Sequence, residues 1–383
     1  MASIQPAAVL ARARREQQAT RIAFFIAGFA MAAWAPLVPF AQARTGASEG
    51  VLGLLLLCLG IGSILAMPLA GVAAARFGCR GVIAAGVAAA CLALPLLASA
   101  SGVVLLMAAL LVFGAGIGSL DVAMNMQAIG VERASGRAMM SGFHGLFSFG
   151  GIAGAAGVTG LLGAGASPLA ATLGVAAGSL AALAVAWPHL LPHGSRSDGP
   201  PFALPRGVVL FIGLLCFVAF LAEGAMLDWS AVFLTTVRGV EPSLAGLGYV
   251  AFSVTMTIGR LTGDRIVQRL GGHAVILAGG LCAAAGFALA TLVPSWPVAL
   301  LGYALVGAGC SNIVPVLFTA VGRQRVMPER LAVPAITTLG YAGVLAGPAA
   351  IGLLAQVASL SLAFLVVAAL LLGVAASDRV VRG

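Results

Sequence analysis

Long apolar runs, each ended by a charge, a proline or a cluster of glycines, recur along the whole chain. They fall near residues 21–42, 49–75, 81–99, 102–130, 138–164 and 168–187. A polar, proline-rich stretch follows from His189 to Arg206 and contains HGSRSDGPP. Six further runs lie near 207–235, 243–266, 273–293, 297–320, 331–356 and 359–377. A helix needs about 20 apolar residues to cross a bilayer, and each run meets or approaches that length. The pattern predicts an all-α integral membrane protein with twelve transmembrane helices. They form two six-helix halves, residues 1–188 and 207–383, joined by a linker at 189–206.

Composition removes the soluble alternative. The chain is 61% hydrophobic and 8% charged, with a mean hydropathy of +1.11, where a soluble domain carries about 25% charged residues. The net charge is +9, and every basic residue other than histidine is arginine. Those arginines lie between apolar runs and not along one face, so they argue for topology and against a nucleic-acid partner. Arg44 and Arg238 fall on one side of the predicted bilayer. The other eighteen fall opposite, among them Arg260, Arg265 and Arg269 around the end of the eighth run. That bias predicts both termini and the linker in the cytoplasm of an inner-membrane, multi-pass protein. Arg12, Arg14 and Arg15 precede an apolar run ending Ala41-Gln42-Ala43, which imitates a signal peptide. The run is longer than a signal core and holds Pro36 and Pro39, so it reads as the first span. The six cysteines stand apart, with no CxxC or Cys/His spacing that would make a disulfide framework or a metal site.

The two halves match at one fixed offset. Arg76-Phe77-Gly78, after span 2, recurs as Arg269-Leu270-Gly271 after span 8, 193 positions later. Gly114-Ala115-Gly116 in span 4 recurs as Gly307-Ala308-Gly309 in span 10 at the same offset. Duplication of this kind predicts pseudo-symmetric halves, the build of many transporters.

Polar residues inside the spans are the candidates for chemistry, since a charge among lipid chains is costly and by default faces a cavity. Asp121 lies in span 4, about 15 Å from its cytoplasmic end at a helical rise of 1.5 Å per residue. A carboxyl there can take up a proton on one side and release it after a conformational change. The competing reading is a hydrogen-bonded acid that only locks helices together. His144, near the start of span 5, is a candidate proton relay within reach of Asp121 or Asn125, or else a structural hydrogen-bonding group. Glu223, midway along span 7, is the second intramembrane acid. Asp228 and Trp229 follow near the outer end as a gate or cap. Asn125 shares a helix face with Asp121 by its spacing of four and is a candidate solute contact. Gln127 is a second one, with joining helix to helix as its alternative role, whereas Trp34 and Asn312 offer aromatic and amide surfaces to a polyol. Gly114-Ala-Gly116-Ile-Gly118 has no flanking strand and no Gly-Lys-Ser/Thr, so it serves close helix packing and not a nucleotide.

Six plus six spans, a central linker and Arg-Gly turns after spans 2 and 8 resemble the major facilitator superfamily over essentially the whole chain. That superfamily carries a loop motif, roughly Gly-x-x-x-Asp-Arg-x-Gly-Arg-Arg/Lys. Gly71-Val-Ala-Ala-Ala75-Arg76-Phe-Gly78-Cys79-Arg80 follows it with Ala75 in place of the acid. Gly259-Arg260-Leu-Thr-Gly263-Asp264-Arg265 is similar and keeps its acid. The resemblance implies a cytoplasmic latch at Arg76, Gly78 and Arg80, and a second at Arg260, Asp264 and Arg265. Gly116-Ile-Gly118-Ser-Leu120-Asp121-Val-Ala123-Met-Asn125 resembles the span-4 motif of the fucose–proton symporter group, and Ser311-Asn-Ile-Val-Pro315 its span-10 counterpart. The acid that this group carries on span 1 has no equivalent in Trp34-Ala-Pro36-Leu-Val-Pro39, so fucose itself is not implied.

Together these features predict a monomeric secondary transporter, not an enzyme, without cofactor or metal, moving a small polar, sugar-like solute with protons through alternating access. The alternative within the class is proton-driven efflux of amphipathic compounds. The alternative outside it is a membrane sensor without transport, which the short linker leaves little room for.

Overall fold

The computed structural model describes residues 4–135, 139–192 and 204–377. Among them every regular element is a helix. The first span is α1 (Ile4–Ala32), a short 3₁₀ turn and α2 (Val38–Thr45). Spans 2 to 6 are α3 (Glu49–Phe77), α4 (Cys79–Ser99), α5 (Val103–Ser135), α6 (Met140–Gly163) and α7 (Pro168–Ala186). Span 7 is α8 (Val208–Thr236). Spans 8 and 9 form one continuous element, α9 (Leu247–Leu292), broken at Gly271 by a φ of 78°. Span 10 is α10 (Trp296–Cys310) followed by α11 (Ile313–Arg323). Spans 11 and 12 are α12 (Glu329–Val357) and α13 (Leu360–Ala376). Eleven helical segments among the described residues are long and apolar enough to cross a membrane, and α13 is a shorter twelfth. Leu65, Leu69, Val104 and Val357 stand on the outside, as side chains meeting lipid do.

Two spans are interrupted, and proline explains both. Pro36 has no N–H to give the Ala32 carbonyl, and α1 ends at Ala32. Pro315 has none for Ser311, and α10 ends one residue earlier, at Cys310. Serine starts two of the later helices: Ser167 Oγ accepts from Ala170 N–H at 3.2 Å and Ser359 Oγ from Leu362 N–H at 3.1 Å.

The chain divides into two compact units. The first holds residues 1–37 and 58–197; the second holds 38–57 and 198–383. In the first, α1 packs on α6 and α4 on α5, around Phe24, Leu120, Met124 and Phe143. In the second, α8 packs on α12 and α9 on α10, around Ile212, Cys216, Ile276, Leu317 and Ile336. Residues 38–57 join the second unit through the first turns of α3. There Gly50 N–H donates to Gln356 Oε1 at 3.2 Å and Gly53 lies against Pro348 and Gly352.

The offset of 193 reappears in the packing. A Cβ on Gly86 would meet the Gly116 carbonyl oxygen, and one on Gly279 would meet that of Gly309. Gly114 presses on the Leu59 carbonyl as Gly307 presses on that of Phe252. Gly78 and Gly271 make the same turn, with φ of 88° and 78° and ψ of 155° and 154°. Each half is therefore held by the same close backbone approaches, where hydrocarbon supplies no hydrophobic drive and small residues let helices touch.

Candidate functional site: two polar clusters within the spans

In the second unit, Glu223 on α8 meets Arg260 on α9. Arg260 Nη2 donates to both carboxylate oxygens, each at 3.0 Å. Arg260 lies eleven residues before the Gly271 turn, about 16 Å into its span at the helical rise. It is thus the partner of Glu223 along the helix, away from the Gly271 turn where the latch is expected. The matching turns at Gly78 and Gly271 make Arg269 the counterpart of Arg76. Arg265 lies more than a turn deeper, on an exposed face. Asp264 belongs to α9, but its side chain lies outside the described residues.

What holds Arg260 in place is the break in span 10. The Ser311–Asn312 turn is lodged against Gly259 and Gly263, which flank Arg260 on α9. A Cβ on Gly259 would come within 2.2 Å of Ser311 Oγ, and one on Gly263 within 2.0 Å of Asn312 Oδ1. Asn312 Nδ2 donates to the Gly259 carbonyl at 3.0 Å and approaches Ser311 Oγ at 3.0 Å. Asn312 is buried, and its Nδ2 is engaged by the Gly259 carbonyl and Ser311 Oγ, so in this structure it ties span 10 to α9. Tyr249, Ser253 and Arg260 share one stripe of α9 by their spacing of four and seven. Tyr249 is within electrostatic reach of Glu223, Arg260 and Asp228, and Cys310 of Glu223 and Arg260. Asp228 and Trp229 are buried, with Asp228 Oδ1 and Trp229 Nε1 making no hydrogen bond.

In the first unit, Asp121 and Asn125 are partly open on α5. Asn125 Nδ2 donates to the Asp121 main-chain carbonyl at 2.9 Å and reaches its carboxylate Oδ1 at 3.3 Å. Among the described residues Asp121 has no ion pair, in contrast to Glu223. Gln127, two residues on, is fully buried. Its amide donates to Thr20 Oγ1 at 3.0 Å and accepts from Leu191 N–H at 3.1 Å. Gln127 therefore ties α1 and the end of span 6 to α5, as the helix-joining alternative expects. Trp34 is also fully buried, with its indole N–H unpartnered, and offers no open face to a solute. His144 is exposed on α6 and meets the Phe24 ring edge-on at 5.1 Å. It faces α1 because α6 packs mainly on α1 and touches α5 little.

Of the first latch, Arg76 is exposed, its guanidinium 5.2 Å from the Phe77 ring centroid. Gly78 makes the turn. Arg80 is engaged within its own unit: Nε and Nη2 donate to the Leu190 carbonyl at 2.9 and 2.7 Å, and its guanidinium lies 5.6 Å over Trp187. It closes the end of span 6. Sequence reading missed Arg260 as partner of Glu223, along with Tyr249 and Ser253; the helical stripe from Tyr249 to Arg260 was the available signal.

Two pseudo-symmetric helical units with unequal intramembrane charge define a multi-pass membrane transporter and not an enzyme. The chain belongs to the Major Facilitator Superfamily, whose sequence profile matches residues 21–324. It is 60% identical over 367 residues to an MFS-type transporter of Yersinia pestis, covering 96% of each chain. Its fold is similar to that of the nucleoside transporter NupG, with a TM-score of 0.75 at 15% identity over 96% of this chain and 99% of that one. It is also similar to a D-xylose–proton symporter, with a TM-score of 0.73 at 15% identity over 95% and 96%.

Proposed function

We propose that this protein moves a small polar, sugar-like solute across the inner membrane, coupled to protons, by alternating access between the halves at 1–188 and 207–383. Asp121 is the proton site and Glu223 the second acid. The observation that carries this reading is the state of Asp121: it sits well inside an unbroken span, partly open, and among the described residues it has one amide from its own helix as side-chain partner and no counter-cation. A carboxylate held so is uncompensated when charged and relieved when protonated, which is what a coupling group needs. Neighbours of the same fold that carry nucleosides and xylose support a small polar solute. Both termini and the linker are cytoplasmic in this reading, and the protein works as a monomer.

The test is proton flux into proteoliposomes holding a trapped pH dye, with sugars and other small solutes added in turn. Wild type should acidify with a transported solute, and Asp121→Asn should exchange solute without proton movement. Accumulation that survives in Asp121→Asn would remove the role given to that residue. Flux with cationic dyes alone would favour efflux of amphipathic compounds.

A further inference from the structure

We propose that Arg260 is the anchor for an acidic group on the transported solute, so that the substrates are small hydroxylated carboxylates of the sugar-acid kind, with Glu223 as the internal anion they displace. This rests on the transport reading above and names the class of solute.

The geometry of the pair carries it. A guanidinium frequently meets a carboxylate as a fork, two nitrogens to two oxygens. Here both oxygens of Glu223 share the single Nη2, at 3.0 Å each. Nε and Nη1 make no hydrogen bond among the described residues, and the Arg260 side chain is 38% exposed against 18% for Glu223. Among the described residues, to which the Asp264 side chain one turn along does not belong, three N–H donors of Arg260 have no partner, on a cation well inside a span, where unmet donors are costly unless a ligand meets them. Their position is fixed. Gly259 and Gly263 receive the Ser311–Asn312 break, and Asn312 holds the Gly259 carbonyl, so the backbone on both sides of Arg260 is clamped to span 10. Tyr249, on the same stripe and within electrostatic reach of Arg260, supplies a hydroxyl suited to those of a sugar acid.

The exchange balances charge. With Glu223 ionised, the pair is neutral and Arg260 is occupied. When Glu223 takes a proton, its grip on Nη2 weakens and a solute carboxylate takes that place, so one anion and one proton enter the site together. Among the described residues, the other titratable groups within electrostatic reach of the pair are Tyr249 on α9 and Cys310 on α10; Asp228 on α8 is within reach of Tyr249, and Tyr341 on α12 stacks on Phe220 of α8 at 5.9 Å. None of them supplies a second cation.

The experiment is ligand binding to the purified full-length protein by calorimetry, using galacturonate and gluconate against their neutral twins galactose and sorbitol. Glu223→Gln removes the internal competitor while keeping its shape. It should tighten binding of the acids roughly tenfold, as the competent fraction of Arg260 rises. The double variant Glu223→Gln/Arg260→Gln leaves no lone charge, so it should fold, and it should lose the acids. Binding of the neutral twins in wild type, with no preference for the acids, overturns the acid class while leaving proton-coupled transport standing. Acid binding that weakens in Glu223→Gln, or is absent there in protein shown folded by circular dichroism, overturns the exchange. Failure of proton coupling itself would show instead as unchanged flux in Asp121→Asn, a separate readout.

Discussion

At the scale of single residues, the amides in the spans divide into those that hold structure and those left open. Gln127 has both ends of its amide engaged and no exposed surface. Replacing it with Ala leaves the Thr20 hydroxyl and the Leu191 N–H without that partner, a loss on the order of 1–3 kcal/mol. Thermal unfolding in detergent should fall accordingly, while affinity for a transported solute stays near wild type. Asn125 behaves oppositely. Its one tie is to its own helix, one turn back, so Asn125→Ala should leave the melting temperature nearly unchanged and alter proton-coupled uptake. A melting drop as large as that of Gln127→Ala would instead mark Asn125 as structural. The pair of acids also separates: Asp121→Asn removes a charge with no counter-ion, whereas Glu223→Gln strips Arg260 of its partner. Only the second should be partly rescued in stability by neutralising Arg260 as well, since a cation left alone within a span costs more than removing both charges.

Between elements, the glycines decide how closely helices approach. A Cβ on Gly114 would stand 1.9 Å from the Leu59 carbonyl oxygen, backbone against backbone, with nothing to rotate out of the way. Gly160 on α6 meets nothing within 4 Å. Gly114→Ala should therefore force α3 and α5 apart and cost about 1–3 kcal/mol by overpacking, and Gly160→Ala should be neutral or slightly stabilising. Fluorescence-detected size exclusion of the two variants checks this, and equal profiles would refute the close approach. The same reasoning explains why the pattern of apolar runs located the spans but not their partners. Hydrophobicity is nearly uniform around a membrane helix, so periodicity that would assign a packing face in a soluble protein is weak here. Pairing of α1 with α6, and not α5 with α6, follows from glycines opposite Phe25, Phe29 and Phe147, and it is this pairing that turns His144 toward Phe24 and not toward Asp121.

For the whole molecule, repetition and asymmetry have different roles. The scaffold repeats at 193 positions down to individual carbonyl contacts and positive-φ turns, while the charges do not: Asp121 aligns with Val314, Glu223 with Ala30 and Arg260 with Met67. Duplication supplied two similar bundles, and divergence placed an uncompensated acid in one and an ion pair in the other. The arginine bias of the loops, reduced by one now that Arg260 lies within a span, still expects the C-terminus in the cytoplasm. A C-terminal green fluorescent protein fusion should fluoresce and an alkaline phosphatase fusion should be inactive. The reverse pair of results would invert the orientation.

The sequence alone determined the helical class, the approximate number of the spans, the internal repeat and the place of Asp121 and Glu223 within long apolar runs. These depend on composition and on one-dimensional spacing, because a bilayer demands long apolar runs and penalises every charge left in them. Tertiary structure alone decided what each polar group meets. Arg260 read as a loop arginine because its neighbours Gly259, Gly263, Asp264 and Arg265 imitate the loop motif. The Gly271 turn puts it about three helical turns deeper, facing Glu223 thirty-seven residues earlier. Asn312 and Gln127 read as solute contacts because an amide looks the same whether its partner is a ligand or a carbonyl. Which one it meets depends on the break at Pro315, on glycines that admit another helix, and on the packing of spans distant in the chain, none of which local spacing encodes.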